Sequence, residues 1–282
     1  MNLKTKQIKM RTLIIVLAVL LSITSYAQKK QKIKGNREVI EVYNDLTAFN
    51  EVEIADDLEV NIMQTLSTGY RLKADSNLIS TIKFEVVDSV LKIYTSSKIT
   101  SSKSLEIYLT CRELNKITLK NDAELIGQNN INGTDLTLVC LDDSEFELDV
   151  NSSVFNLQLN SASKGKLNLK SVATNMSLND NSYLKASLSI DDLDLTMSKK
   201  ADMDIEGNCD NLNLITSGST DVKAKKLLVT NAKINASNTS DIYVYASKYL
   251  SLYAKGRSYV YVYGNPEINV EGLNDKSQII KK

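Results

Sequence analysis

Residues 155–186 read FNLQLNSASKGKLNLKSVATNMSLNDNSYLKA, and this stretch decides the fold. Leu157 and Leu159 alternate with Asn156 and Gln158, and a polar, small-residue corner follows at 160–163. Leu167 and Leu169 then alternate with polar residues, and the whole pattern returns at Met176, Leu178 and the corner 179–182. Alternation with period two places one set of side chains on one face of a strand. A return of the same pattern at a fixed interval of 20–50 residues or a little under is the mark of a stacked repeat.

Working outward, Leu159 and Leu178 belong to a column of strand-end residues: Leu119, Cys140, Leu159, Leu178, Met197, Thr216, Ala236 and Ala254, spaced by 21, 19, 19, 19, 19, 20 and 18. Four residues after each stands a small one: Ala123, Ser144, Ser163, Ser182, Ala201, Thr220, Ser240 and Ser258. Six and eight residues after, apolar residues dominate, as in Leu125, Phe146, Leu184, Met203, Val222 and Ile242. A unit this short cannot bury its inner face alone, but stacked coils cover one another. The spacing predicts an all-β chain, a right-handed parallel β-helix (β-solenoid) with coils of about 19 residues and strands ~4.8 Å apart. A small side chain at one fixed position fits the inside of a tight corner. An antiparallel sandwich of hairpins, the competing fold, has no such requirement. Corner pairs such as Asn121-Asp122, Asp180-Asn181, Gly218-Ser219 and Asn238-Thr239 are turn formers.

The ends differ. Lys4, Lys6, Lys9 and Arg11 precede the apolar run Leu13 to Ile23, and Ser25-Tyr26-Ala27 offers a cleavage site, so residues 1–27 read as a secretory signal peptide. The apolar run is well short of the ~20 residues that span a bilayer. The expected order is signal peptide 1–27, basic linker 28–37, solenoid 38–266 (irregular coils or cap 38–103, regular coils 104–266) and C-terminal tail 267–282. Within the cap, Phe49 to Gln64 resembles a further coil, whereas Ile82–Val87 and Val90–Tyr94 with Asp88-Ser89 between them read as longer strands.

Four of the 34 basic residues fall in the leader, which leaves the mature chain at a net charge of −4. That charge argues against a nucleic-acid partner. The sequence holds no histidine, which excludes Ser-His-Asp and Cys-His catalysis and histidine metal sites. Asp202, Asp221 and Asp241 fall in one outward column, a weak metal candidate whose alternative is a solvated face balanced by Lys199, Lys200 and Lys223. Tyrosines concentrate between 243 and 263; Tyr243, Tyr245, Tyr253, Tyr259, Tyr261 and Tyr263 are expected to face outward as an interaction surface. The alternative is cross-strand stabilisation or packing beneath the C-terminal residues. Cys140 sits in the inward column, and Cys111 and Cys209 are too many coils apart to bridge.

Four segments, in order, carry a family resemblance: FNEVEIADDLEVNIMQ (49–64), YRLKADSNLISTIKFEVVDSVLKIYTSS (70–97), SGSTD (217–221) and YVYGNP (261–266). Over about residues 38–270 the chain resembles the GIN-domain family, head domains of auto-transporter adhesins. The corners here, such as NDNS and SNTS, depart from the Ser-Gly repeats common in that family, so no ligand residue is carried over. The resemblance implies a right-handed parallel β-helix and an adhesive role. The resulting expectation is an exported, periplasmic or surface, non-catalytic binding module without cofactor or membrane segment, serving an unknown protein or glycan. A self-associating envelope scaffold is the alternative, and a carbohydrate-active enzyme the least favoured.

Overall fold

The computed structural model describes residues 30–282; the leader read over 1–27 lies outside them. The chain is all-β, a solenoid of about 9 turns with coils of about 19 residues. Glu145–Leu159 pairs in parallel with Lys164–Leu178 along its whole length. Parallel pairing runs on through Tyr183–Lys199, Asp202–Gly218, Asp221–Ala236 and Asp241–Ala254, with register shifts at 204–206 and again between 224 and 231. The column foreseen from the sequence is the observed one: Leu119, Cys140, Leu159, Leu178, Met197, Thr216, Ala236 and Ala254 are successive partners.

Each long strand has two legs. In Glu145–Leu159 the buried residues are Phe146, Leu148, Val150 and Ser152, then Phe155, Leu157 and Leu159. The alternation thus changes phase at 153–154, which turns the backbone through a corner while the ladder of hydrogen bonds continues. The second corner closes the coil and uses left-handed backbone at Asp142, Ser161, Asp180, Lys199, Gly218, Asn238 and Gly256. Asp, Asn and Gly tolerate that region, because a short polar side chain can bond locally and Gly carries no Cβ. Beside this corner Ser144, Ser163, Ser182, Ala201, Thr220, Ser240 and Ser258 are all buried.

The interior is a continuous apolar column fed by both legs. Volume is matched between coils. A Cβ on Gly165 would lie 2.2 Å from the Phe146 ring of the preceding coil, so the large residue occupies the space its partner leaves. Cys111, Cys140 and Cys209 are buried and free. Burial pushes the Cys111 and Cys209 thiols up to about 12, so they act as small hydrophobes rather than nucleophiles.

Stack order and chain order part company at the N-terminal end. Glu51–Ile54 pairs with Lys116–Leu119 on one side and with Val90–Thr95 on the other, all in parallel. Glu59–Gln64 likewise lies between Glu124–Gly127 and Leu105–Cys111. Beyond these, the strands turn antiparallel: Ile82–Val87 on one leg, and Gly69–Asp75 followed by Val39–Asp45 on the other. Asp75 fastens this end. Its carboxylate accepts from the backbone N–H groups of Arg37 (3.0 Å), Lys103 (3.1 Å) and Ser104 (3.3 Å). Gly35 packs against it so closely that a Cβ would lie 1.9 Å from Asp75 Oδ2. Residues 35–37 are therefore bound into the fold rather than part of a solvated linker.

At the other end, a tail was expected beyond Pro266. Glu267–Leu273 and Gln278–Lys281 instead continue both legs in parallel register with Asp241–Ala254 and Tyr259–Gly264. The chain's single proline, Pro266, interrupts the alternation and hides this coil in the sequence. It stands just ahead of a strand, at the corner, where its missing N–H breaks no ladder bond. On this last coil Ile268, Val270 and Leu273 are exposed, although they continue the columns of Leu250, Leu252 and Ala254.

Candidate functional site

Two outer surfaces carry the chemistry, one on each leg. On the leg that follows the small-residue corner, the tyrosines rise from Asp241–Ala254 and Tyr259–Gly264. The parallel register sets Tyr243 beside Tyr261, Tyr245 beside Tyr263, and Asp241 beside Tyr259. Outward alternation fixes which tyrosines can meet, because Ile242, Val244, Val260 and Val262 between them point into the core. The rings of Tyr243 and Tyr261 stack with centroids 4.5 Å apart at 8°. Lys282 Nζ lies 5.4 Å from the Tyr261 ring centroid, on the scale of a cation–π contact. Burial, then the neighbouring Tyr261, pushes the Tyr243 phenol above its ordinary value.

Tyr253 does not join this group. It lies on the opposite leg, where it pairs with Asn235 and Gly272. The corner after Ala246 separates it from the others. Its hydroxyl accepts from Asn274 Nδ2 at 3.2 Å, and a Cβ on Gly272 would meet its ring at 2.8 Å. It packs against the next coil.

Below the tyrosines, Asp202, Asp221 and Asp241 stack in register on successive coils. Asp221 pairs with Lys223 at 3.1 Å. Burial, then the charge of Asp221, raises the carboxyls of Asp202 and Asp241 above the usual range. Among the described residues, no group of three or more acidic, thiol or imidazole side chains is arranged to hold a metal ion. The ladder is a column of mutually repelling carboxylates, offset by one lysine.

The second surface escaped the sequence reading. On the other leg a groove of about 610 Å³ crosses several coils. One wall is the register column Asp192, Asn211, Asn231 and Tyr249; the other is Asp194, Asn213, Lys233 and Ser251. Amides and carboxylates are linked along the walls: Asn211 Nδ2 donates to Asp192 Oδ1 at 2.8 Å, Asn213 Nδ2 to Asp194 Oδ1 at 2.8 Å, and Asn231 Nδ2 to Asn211 Oδ1 at 3.0 Å. Tyr249 and Glu271 stand at one end, where Ser251 Oγ donates to Glu271 at 2.5 Å. A signal existed in the sequence. The outward positions three and five residues before the strand-end column carry Asp194 and Asp192, then Asn213 and Asn211, on successive coils.

Comparison with known proteins bears on the fold and the family. The family model described as "Putative auto-transporter adhesin, head GIN domain" matches residues 48–180 and 164–266. No curated protein sequence matches. Among solved structures, a putative adhesin from Parabacteroides merdae is similar at 16% identity and TM-score 0.63, over 89% of this chain and 99% of the other. A protein from Parabacteroides distasonis, titled a putative lipid binding protein, is similar at 19% identity and TM-score 0.65, over 89% of this chain and 100% of the other. At such identity the likeness speaks for the solenoid alone. The match of the family model over most of its length makes the chain a member of the GIN-domain family of adhesin head domains.

Proposed function

We propose that the chain is an exported, non-catalytic, adhesin-like binding module, and that Tyr243, Tyr245, Tyr259, Tyr261 and Tyr263 form its contact surface. The observation that carries the reading is the in-register tyrosine pairs, held by a rigid ladder on one leg. Tyrosine offers large amphipathic contact area at low entropic cost, and ordering by the scaffold lowers that cost further. Export rests on the basic and apolar leader over 1–27. The absence of histidine supports a non-catalytic role, because the common nucleophile–base pairs are excluded.

The triple substitution Tyr243→Ser, Tyr245→Ser, Tyr261→Ser tests the surface. Binding to a host-protein panel should fall at least tenfold while the melting transition stays cooperative. Unchanged binding by the folded variant removes the surface. Protease shaving of intact cells tests location: loss of the chain while a periplasmic control survives supports the surface, and protection places it in the periplasm and rejects the adhesive role.

A further inference from the structure

We infer that the groove on the opposite leg is a binding site for a neutral oligosaccharide. The inference rests on the reading of the chain as a binding module, and it assigns ligand and site on a leg that the tyrosine columns do not share.

The walls present paired donors and acceptors. Each asparagine amide that bonds along its column has used one N–H and keeps the second, and Asp192 and Asp194 each accept with one named oxygen. Vicinal hydroxyls of a sugar donate and accept at once, so a carboxylate beside an amide meets both demands. The set occurs once in each wall, between the coils of 192–194 and 211–213, and Asn231 and Lys233 on the next coil add further donors at the ~4.8 Å strand spacing; the two walls stand two residues apart along each strand, ~7 Å. A short run of sugar rings, each offering hydroxyls at its edge, spans these coils. Tyr249, 38% exposed, supplies an aromatic face at one end.

The wall chemistry also excludes other ligands. Asp192, Asp194 and Glu271 outnumber Lys233, which disfavours phosphate, sulfate and uronate. An apolar chain would bury amides and carboxylates without partners. The amide–carboxylate bonds hold the walls in place before any ligand arrives, so little ordering cost remains on binding.

Affinity electrophoresis through gels holding mannan, dextran or laminarin tests the site, with heparin as the anionic control. At least one neutral polysaccharide should retard the mature chain and heparin should not. Asn213→Leu and Tyr249→Ala should each weaken that retardation tenfold or more while leaving the melting curve in place, and the Tyr243→Ser, Tyr261→Ser pair should leave it unchanged. If no neutral polysaccharide retards the wild type, or if the groove variants are retarded like the wild type, the inference fails. Host-protein binding lost only in the tyrosine variants would then leave the binding-module reading standing without the groove.

Discussion

Ser182 is a buried residue whose hydroxyl has no hydrogen-bond partner; Ser163, one coil below, is the same. Their neighbours in the column differ: Ser240 donates to Ser237 O at 2.9 Å and Ser258 to Lys255 O at 2.7 Å. What the corner demands of Ser182 is therefore size, not polarity. Ser182→Ala should raise stability by about 1 kcal/mol, since it removes an unsatisfied buried hydroxyl. Ser182→Leu should cost about 1–3 kcal/mol or more through overpacking. Urea titrations of both variants check this, and an alanine variant less stable than wild type would show that the hydroxyl is used. At this scale the sequence was informative because small size at one fixed position is visible in the letters. Volume matching was not visible. Gly165 breaks the apolar column as text, and only the ring of Phe146 across the coil explains it.

Among the elements, the regular coils were legible and the N-terminal end was only half so. Period-two alternation broken by turn residues fixes a coil locally, and the parallel register then follows from column matching. The rungs at 51–64 were recognisable for the same reason. Their neighbours in the stack, 90–95 and 105–111, come later in the chain, and no local pattern encodes that insertion. The closure of this end depends on Asp75. Burial alone would raise its carboxyl, but the N–H groups of Arg37, Lys103 and Ser104 together hold it below the usual aspartate range. A carboxyl depressed in the folded state contributes stability above its unfolded value, and loses that contribution as pH falls through its folded value. The cap should therefore loosen in acid, as pH falls below the ordinary aspartate range, before the central coils do. Hydrogen exchange at 39–45 and 69–75 against pH measures this. Asp75→Asn should raise exchange there at neutral pH and flatten the acid limb; equal protection in wild type and variant at pH 7 would refute the assignment. The last coil, 267–281, is hidden in the sequence because Gly264-Asn265-Pro266 interrupts the alternation, although the stack continues beyond it.

For the whole molecule, function was legible only as a class. The outer columns of both legs are mostly polar or tyrosyl, with Ile215 and Leu228 among the exceptions, and the sequence shows their members one coil apart without showing that four columns make two distinct surfaces. Tyr253 illustrates the limit: it alternates like its neighbours, yet the corner at 246–249 sends it to the other leg. The stacking has a further consequence, in mechanics. The first described strands of the stack and the last lie at opposite ends, and every ladder bond between coils points along the line that joins them. Tension applied between those ends loads each rung's bonds in series, so they break one rung at a time instead of shearing together. Each coil of about 19 residues that peels away releases roughly 65 Å of chain. Pulled by its ends in single-molecule force spectroscopy, the protein should show a train of low, evenly spaced peaks at that increment, and a single high-force rupture would contradict it. Under tension, such a chain lengthens and dissipates work rung by rung, so the force it passes to whatever holds its ends stays near that of a single rung.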